Sequence, residues 1–384
     1  MYDTELPDPR VWPAASATSR AARLHACVLA AIDADTRHAA AVADAEATAL
    51  IERLVAAGDG ASLGDAFGSA PSYPVARHLW RLLADVERGD SRRATALRTT
   101  LAAMPVIFVS ALDSREGEVT LPGILTDPRA LEALLRDARE LGGAQAFSLS
   151  SSLVGVDAID VVTLPDHLAQ LPFGEPGGGL RPPVDVPPAP MLVGAGNERV
   201  HLRFIVAAVL TAPGSDPLEA SRISVWGIAF AQALARQMHV EGLSLLALPR
   251  PLQRLVPATQ AGRSVQREVS AQVFASNAIR KLRASVGEPT AIISAHRAAD
   301  APLGGELRLS LSSVFAPRAA EGFRCPLYAY ESVRDVVAML AGLLRDCRVD
   351  DVRLRMGIHG DIDPLTGGPL LFKEAEAPAS ARLQ

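Results

Sequence analysis

The chain has 384 residues, of which 49% are hydrophobic and 21% charged, an ordinary composition for a globular protein with more than one core. Aromatic residues make up only 4%, which argues against the stacking platforms that bind carbohydrate or single-stranded nucleic acid. The net charge of −5 and the scattered arginines leave no basic stripe, so we expect no nucleic-acid partner.

The three cysteines, Cys27, Cys325 and Cys347, have no metal-type spacing, which disfavours a disulfide framework or a zinc site. The N-terminus lacks the basic and apolar regions of a signal peptide. No apolar run reaches the ~18 residues of a membrane-spanning helix. We therefore expect a soluble, cytoplasmic protein with no membrane association.

The first hundred residues predict a helical region. An Ala-rich helical pattern runs from 19 to about 55, with an interruption at 33–35 and a Gly-Asp-Gly end. Pro74 suits the start of a second helix, which we expect over 75–87 because of its apolar stripe. A third helix is expected over 91–103.

After the helical region the sequence predicts a strand, a helix and another strand. The apolar run 105–112 is rich in β-branched residues, and 144–153 is the second strand candidate. Between them a helix is expected over 131–141, with Thr126 or Asp127 as its N-cap.

The stretch 202–248 has the clearest pattern. It contains an apolar run over 204–210, a helical pattern over 223–239 and a second apolar run. Strands that are apolar at every position are covered on both faces, which is typical of a βαβ unit. The second strand begins 41 residues after the first (202 to 243), against 40 residues in the preceding unit (104 to 144). We interpret the two units as a duplication of fold.

The C-terminal part is predicted to be longer and to contain a mixed sheet. The expected elements are a helix over 259–286, strands over 290–295, 306–315 and 324–330, a helix over 332–347 and a strand over 352–358. Leu307, Leu309 and Leu311 alternate with polar residues, which predicts one wet face and antiparallel pairing.

The predicted fold class is α/β, with a helical N-terminal region, two βαβ-containing modules related by fold duplication, and a mixed sheet in the C-terminal module. The expected boundaries are a loose tail over 1–16, the helical region over 17–103, a first module over 104–171, a Pro/Gly-rich linker over 172–200, a second module over 201–360 and a hairpin-like tail over 361–384.

Five segments carry a resemblance to a known family: 104–109 (MPVIFV), 153–157 (LVGVD), 203–209 (RFIVAAV), 278–283 (AIRKLR) and 326–328 (PLY). On these segments the chain resembles an uncharacterised, mostly proteobacterial family of proteins with a domain of unknown function. The resemblance implies no activity, cofactor or site residue. The Gly-rich linker and the tail after Gly357 depart from the family pattern.

The most polar constellation in the sequence is His359, Asp361 and Asp363. In an extended segment these side chains lie on one face, where imidazole nitrogen and carboxylate oxygen are ligands for a divalent metal. The following Asp-Pro and Thr-Gly-Gly are typical of a turn, which is the interpretation we favour, with the metal site as the alternative.

Two further candidates follow predicted strands, where open α/β sheets bind ligands. Asp157 and Asp160 follow the strand 144–153, and their spacing also suits a solvated loop or a helix cap. His296 and Arg297 follow the strand 290–295 and are suited to binding an anion, although such a pair is also common in surface loops.

The common nucleotide, hydrolase and zinc-protease signatures are absent from the sequence. Cys325 is interpreted as a buried small hydrophobic residue. We therefore favour a non-enzymatic ligand-binding, regulatory or protein-interaction protein, which can form a homo-oligomer and for which no cofactor is implied. The alternative is a metal-dependent hydrolase that uses the His359/Asp361/Asp363 cluster.

Overall fold

The computed structural model describes residues 19–92, 98–110, 123–137, 144–156, 159, 200–218, 226–238, 243–246, 252–285, 287–297, 305–313 and 315–359. Within these ranges the helices are α1 (Arg20–Ile32), α2 (Arg37–Ala56), α3 (Gly60–Gly68), α4 (Tyr73–Arg92), α5 (Pro128–Asp137), α6 (Trp226–Gln237), α7 (Leu255–Ser285) and α8 (Val333–Asp346). The strands are β1 (Arg98–Ser110), β2 (Ala144–Val154), β3 (Val200–Thr211), β4 (Leu243–Leu246), β5 (Gln253–Arg254), β6 (Pro289–Arg297), β7 (Gly305–Ser313), β8 (Ala316–Pro326) and β9 (Asp351–His359).

Helices α1 to α4 form the helical region around an aliphatic core. The predicted interruption at 33–35 is confirmed, because α1 ends at Ile32 and Thr36 caps α2 through a 3.1 Å bond from the Ala39 N–H. Helix α3 was not predicted. Its N-cap is Asp59, whose carboxylate accepts from the Ser62 N–H at 3.1 Å.

The helix predicted over 91–103 is wrong for residues 98–103, which form the beginning of β1. Leu101, Ala102 and Ala103 read as helix formers locally, but they pair in register with β3. Ala102 and Ala103 are fully buried on opposite faces of the sheet. Tertiary pairing thus overrides the helical propensity of alanine.

The first sheet has the strand order β2-β3-β1-β4, with β5 paired to β1 and all neighbours antiparallel. The apolar run in 202–248 is confirmed as strand β3, and its helix and second strand are α6 and β4. However, β3 and β4 are not neighbours, because β1 lies between them. Likewise β3 lies between β1 and β2.

Because β3 is antiparallel to both β1 and β2, those two strands run parallel with β3 between them, and β1 likewise lies between β3 and β4. The strands of the two predicted repeats thus share one sheet. Their origin by duplication stays a prediction.

Both faces of the first sheet are covered, which explains why β3 is apolar at successive positions. Ile205, Ala207 and Val209 of β3 lie in the core beneath α5 and α6. Leu202 and Phe204 point to the opposite face, where α7 packs. Two-sided burial here comes from an antiparallel sheet between helix layers, whereas the sequence pattern predicted parallel neighbours.

The second sheet has the strand order β8-β7-β6-β9 and is mixed, as predicted. Strand β7 is antiparallel to β6 and β8, and β6 is parallel to β9. The wet face predicted for β7 is wrong, because Glu306 and Arg308 are buried. Strand β8 begins at Ala316, eight residues before the predicted start at 324.

Helix α7 joins all three parts of the structure. Its 31 residues span about 46 Å at a rise of 1.5 Å per residue. Its N-terminal half packs on the first sheet, its C-terminal half packs on the second sheet together with α8, and Val256 lies in the core of the helical region. No helix in the described part of the chain is long and apolar enough to cross a membrane.

Candidate functional site

The sequence-predicted site residues are only partly within the described structure. Asp157, Asp160, Asp361 and Asp363 lie outside the described residues, as do nearly all residues of the predicted linker. His296, Arg297 and His359 lie inside strands. For Arg297 and His359 the structure describes the backbone and not the side chain.

The parallel pairing of β6 and β9 places His296 opposite His359 in the register. This brings together one residue from each of two predicted sites, which are 63 positions apart in the sequence. His296 is buried, and its Nε2 lies 2.7 Å from the Ser294 hydroxyl. His296 and Arg297 belong to β6 and do not follow it, so the predicted end of this strand is wrong by two residues, while anion binding by the pair stays a prediction.

A buried ion pair lies beside His296 on the polar side of the second sheet. Glu306 is the register partner of His296, and its carboxylate accepts from the Arg308 Nε at 2.5 Å. Arg324, on β8, approaches the same carboxylate at 4.0 Å and is half exposed. The close pair joins two residues of β7, and the contact of Arg324 extends this charged network to β8.

A second polar cluster was missed by the sequence analysis. It lines a cleft of about 330 Å³ where the helical region, α7 and the connection from β8 to α8 meet. We call it the junction cleft, and its lining residues are Arg77, Arg267, Tyr330, Glu331, Ser332, Asp335, Val336 and Met339.

One wall of the junction cleft is a buried pair between Arg267 of α7 and Glu331. The Arg267 guanidinium donates through both Nη atoms to the Glu331 carboxylate, with Nη2 to Oε1 at 2.7 Å, and also to the Pro326 carbonyl at 3.2 Å. Ser264 donates to Glu331 at 2.5 Å. Burial is the largest influence on the pKa of Arg267 and lowers it, but the hydrogen bond to Glu331 and the electrostatic effects of Cys325, Glu331 and Tyr328 together raise the pKa overall. This charged wall is therefore preorganised.

Aromatic rings hold the Glu331 segment against the helices. Tyr328 and Tyr330 stack with centroids 5.5 Å apart, and the Arg267 guanidinium lies 5.5 Å from the Tyr328 ring centroid. Trp80 of α4 meets Tyr330 edge-on at 5.9 Å, and Tyr73 donates to the Tyr328 carbonyl at 3.1 Å. These contacts connect the helical region to the second sheet through the walls of the cleft.

Burial raises the pKa of the Tyr328 and Tyr330 phenols, so both rings remain neutral at physiological pH. The nearby Cys325 is fully buried, and burial raises the pKa of its thiol to about 12. A thiol held protonated in this way is a poor nucleophile. The prediction that Cys325 is a buried hydrophobic residue agrees with its position.

Three lining residues keep polar groups available in the cleft. Ser332 is the N-cap of α8, but its side chain makes no capping bond. Arg77 on α4 and Asp335 in the first turn of α8 are exposed, and neither side chain makes a hydrogen bond or ion pair with another described residue. The cleft thus offers a cation, a carboxylate, a hydroxyl and the first N–H groups of α8.

A signal for this cluster existed in the sequence. The chain has four tyrosines, and three of them, Tyr73, Tyr328 and Tyr330, meet at the junction. In a chain with 4% aromatic residues, the segment 328–331 (Tyr-Ala-Tyr-Glu) is unusual. Its partners on α4 and α7 lie about 250 and 60 positions away, as the contacts of Tyr73 and Arg267 show, and only the fold brings them together.

Comparison of the chain with protein-family models, with curated proteins and with solved structures finds no match. Among the described residues, no group of three or more His, Cys, Asp or Glu side chains is placed to hold a metal ion.

Proposed function

We propose that this chain is a non-enzymatic ligand-binding or regulatory protein that binds a small polar molecule in the junction cleft. The supporting observation is the combination of a preorganised wall, Arg267 with Glu331, and uncommitted polar groups on Arg77, Ser332 and Asp335. Ligand sites are concave, lie preferentially where structural units meet, and carry a few convergent polar groups.

The charges in the cleft define the kind of ligand. Arg77 and the N-terminus of α8 are suited to an acidic group, since both present N–H donors and positive charge. Asp335 is suited to a basic or hydrogen-bond-donating group on the same molecule. Val336 and Met339 provide an apolar surface between them. A small zwitterionic ligand with a short apolar portion fits this set.

A thermal-shift screen of polar metabolites, followed by calorimetry, tests this function. A ligand that binds only the native state raises its stability. Arg77→Gln removes one charged hydrogen bond to the ligand, which contributes about 1.5–3 kcal/mol, so affinity falls roughly 10- to 100-fold. Arg334→Gln is the matched control, because Arg334 is an exposed arginine in the first turn of α8 that does not line the cleft.

The expected result is a ligand whose affinity falls in Arg77→Gln and is unchanged in Arg334→Gln. Equal affinity for wild type and Arg77→Gln places the ligand outside the cleft and contradicts the proposal. A screen of zwitterions, acids and amines that stabilises nothing contradicts it as well.

A second candidate function is a metal-dependent hydrolase that uses His359, Asp361 and Asp363. The observation that favours it is the register of β6 and β9, which places His359 at the carboxyl end of a parallel strand pair, opposite His296. Stabilisation by Mn²⁺ or Zn²⁺ that is lost in His359→Ala supports this alternative. Unchanged stabilisation in that variant removes the support.

A further inference from the structure

Strand β9 forms one edge of the second sheet. It follows β6 in the strand order, and within the described part of the chain no strand pairs with its other side. The ladder to β6 is regular from Asp351 to Arg355 and then shifts its register, because Ser294 pairs with Arg355 and Ala295 pairs with Ile358. Every second residue of such an edge directs its backbone N–H and C=O away from the sheet, where another strand can pair with them.

The side chains of this regular segment alternate between charged and apolar. Asp351 and Arg353 lie on one face, since the Arg353 guanidinium donates to the Asp351 carboxylate at 2.8 and 3.0 Å, and Arg355 follows on the same face. Arg355 is exposed and makes no hydrogen bond or ion pair with another described residue. Val352 and Leu354 lie on the opposite face, where Leu354 is 53% exposed. The segment thus has a carboxylate at its beginning and an uncommitted cation at its end.

We propose that two copies of the chain pair through β9 in antiparallel orientation, with the two-fold axis beside Arg353, so that their second sheets form one continuous sheet. A two-fold contact must be self-complementary, because the same surface is used by both copies. In this register Asp351 of each copy lies opposite the partner's Arg355, and Val352 lies opposite the partner's Leu354. The contact therefore contains two ion pairs, and it covers both exposed leucines. It is separate from the junction cleft and does not depend on the ligand there.

The charge pattern favours this register over its neighbours. A two-fold axis beside Leu354 places Arg353 opposite the partner's Arg355, and like charges directly opposite each other are destabilising. An axis one position before Arg353 places the exposed Leu354 opposite the partner's Asp350. With the axis beside Arg353 the two copies of this residue meet, but each keeps the carboxylate of its own Asp351 as a counter-charge. The regular part of β9 is thus centred on the register that its side chains favour.

Analytical ultracentrifugation of charge-reversal variants tests the contact. Wild type at high micromolar concentration is expected to sediment as a dimer of the 40.4 kDa chain. Asp351→Arg and Arg355→Asp each place like charges opposite one another, so each variant alone is expected to be monomeric. In an equimolar mixture, one variant supplies both cations and the other both carboxylates. The mixture should therefore sediment as a dimer again.

Asp85→Arg and Arg37→Asp are the matched controls, because they make the same charge changes at exposed helical positions and should leave the dimer unchanged. Circular dichroism checks that each variant is folded. If a charge reversal does not fold, Leu354→Lys replaces it, since this change places a charge opposite the partner's Val352 and should also give a monomer.

A monomeric wild type overturns the proposal, as does a dimer that persists in the folded β9 variants or a mixture of the two reversals that stays monomeric. Amide hydrogen exchange tests whether another segment of the same chain occupies the edge instead. The amides of 351–355 that point away from β6 should exchange rapidly in the monomeric variants. Protection of these amides in a monomer shows an intramolecular partner for β9 and refutes the proposal.

Discussion

At Gly262, α7 lies so close to the first sheet that a side chain larger than glycine would contact Phe204 of β3, and Gly262→Ala tests this packing. A Cβ atom at this position would lie 2.7 Å from Phe204 Cζ and 2.9 Å from Cε1. Ordinary contacts between carbon atoms are about 3.5–4.0 Å, so the ring must move by close to 1 Å. Phe204 is fully buried, and overfilling such a site costs about 1–3 kcal/mol.

Alanine also favours the helix by about 1 kcal/mol relative to glycine, which offsets part of that cost. We therefore expect Gly262→Ala to lower the free energy of unfolding by about 1 kcal/mol in urea denaturation followed by circular dichroism. Gly342→Ala in α8 is the control, because a Cβ there meets nothing within 4 Å. It should raise the same quantity by roughly 0.5–1 kcal/mol.

A double-mutant cycle with Phe204→Leu separates the two contributions. Leucine removes the ring atoms that meet the new methyl group, so Phe204→Leu should cost less in the Gly262→Ala background than alone, and should be additive with Gly342→Ala. If Gly262→Ala stabilises the protein as much as Gly342→Ala does, or if its coupling to Phe204 is zero, the close approach of α7 to β3 is refuted.

Two further predictions concern buried groups. Burial raises the pKa of the Cys325 thiol to about 12, so an aromatic disulfide reagent at pH 8 should label the same number of thiols in native wild type as in native Cys325→Ser. In denaturant, wild type should show one more reactive thiol than the variant. A difference between the two native proteins contradicts this burial. Arg308→Met leaves the buried Glu306 carboxylate without its closest partner and should lower the free energy of unfolding in urea by about 3–5 kcal/mol. The double variant Arg308→Met/Glu306→Gln should recover most of that loss. Equal losses in the two variants count against the ion pair.

The sequence predicted most of the regular elements because their signals are local. The interruption before α2, the helix α7 ended by Gly287 at φ +100°, and the alternation in β7 all depend on residues close in sequence. Asp127 proved to be the cap of α5, since it accepts from the Ala130 N–H at 3.0 Å. The beginning of β1 was missed because its Ala-rich sequence carries a helical signal locally.

The candidate site was less accessible to sequence reasoning. Ion pairs such as Arg267 with Glu331, and the cap from Glu87 to Leu255, join residues 64 and 168 positions apart. Neither pair contains a spacing or motif that identifies it before the fold is known. The predicted sites at Asp157 and Asp160, and at Asp361 and Asp363, lie outside the described residues and stay predictions.

The sequence by itself determined most of the helices and strands, because backbone propensity and side-chain periodicity act over a few residues. It did not determine α3, the beginning of β1 or the burial of the polar face of β7. Only the tertiary structure decided that β1 and β3 lie between the strands predicted as neighbours, and that α7 packs against the helical region and both sheets. It also decided that Glu306 and Arg308 are buried on the side of β7 predicted to be wet. The physical reason is that a continuously apolar strand indicates only that both of its faces are buried, and several different strand orders bury both faces equally well.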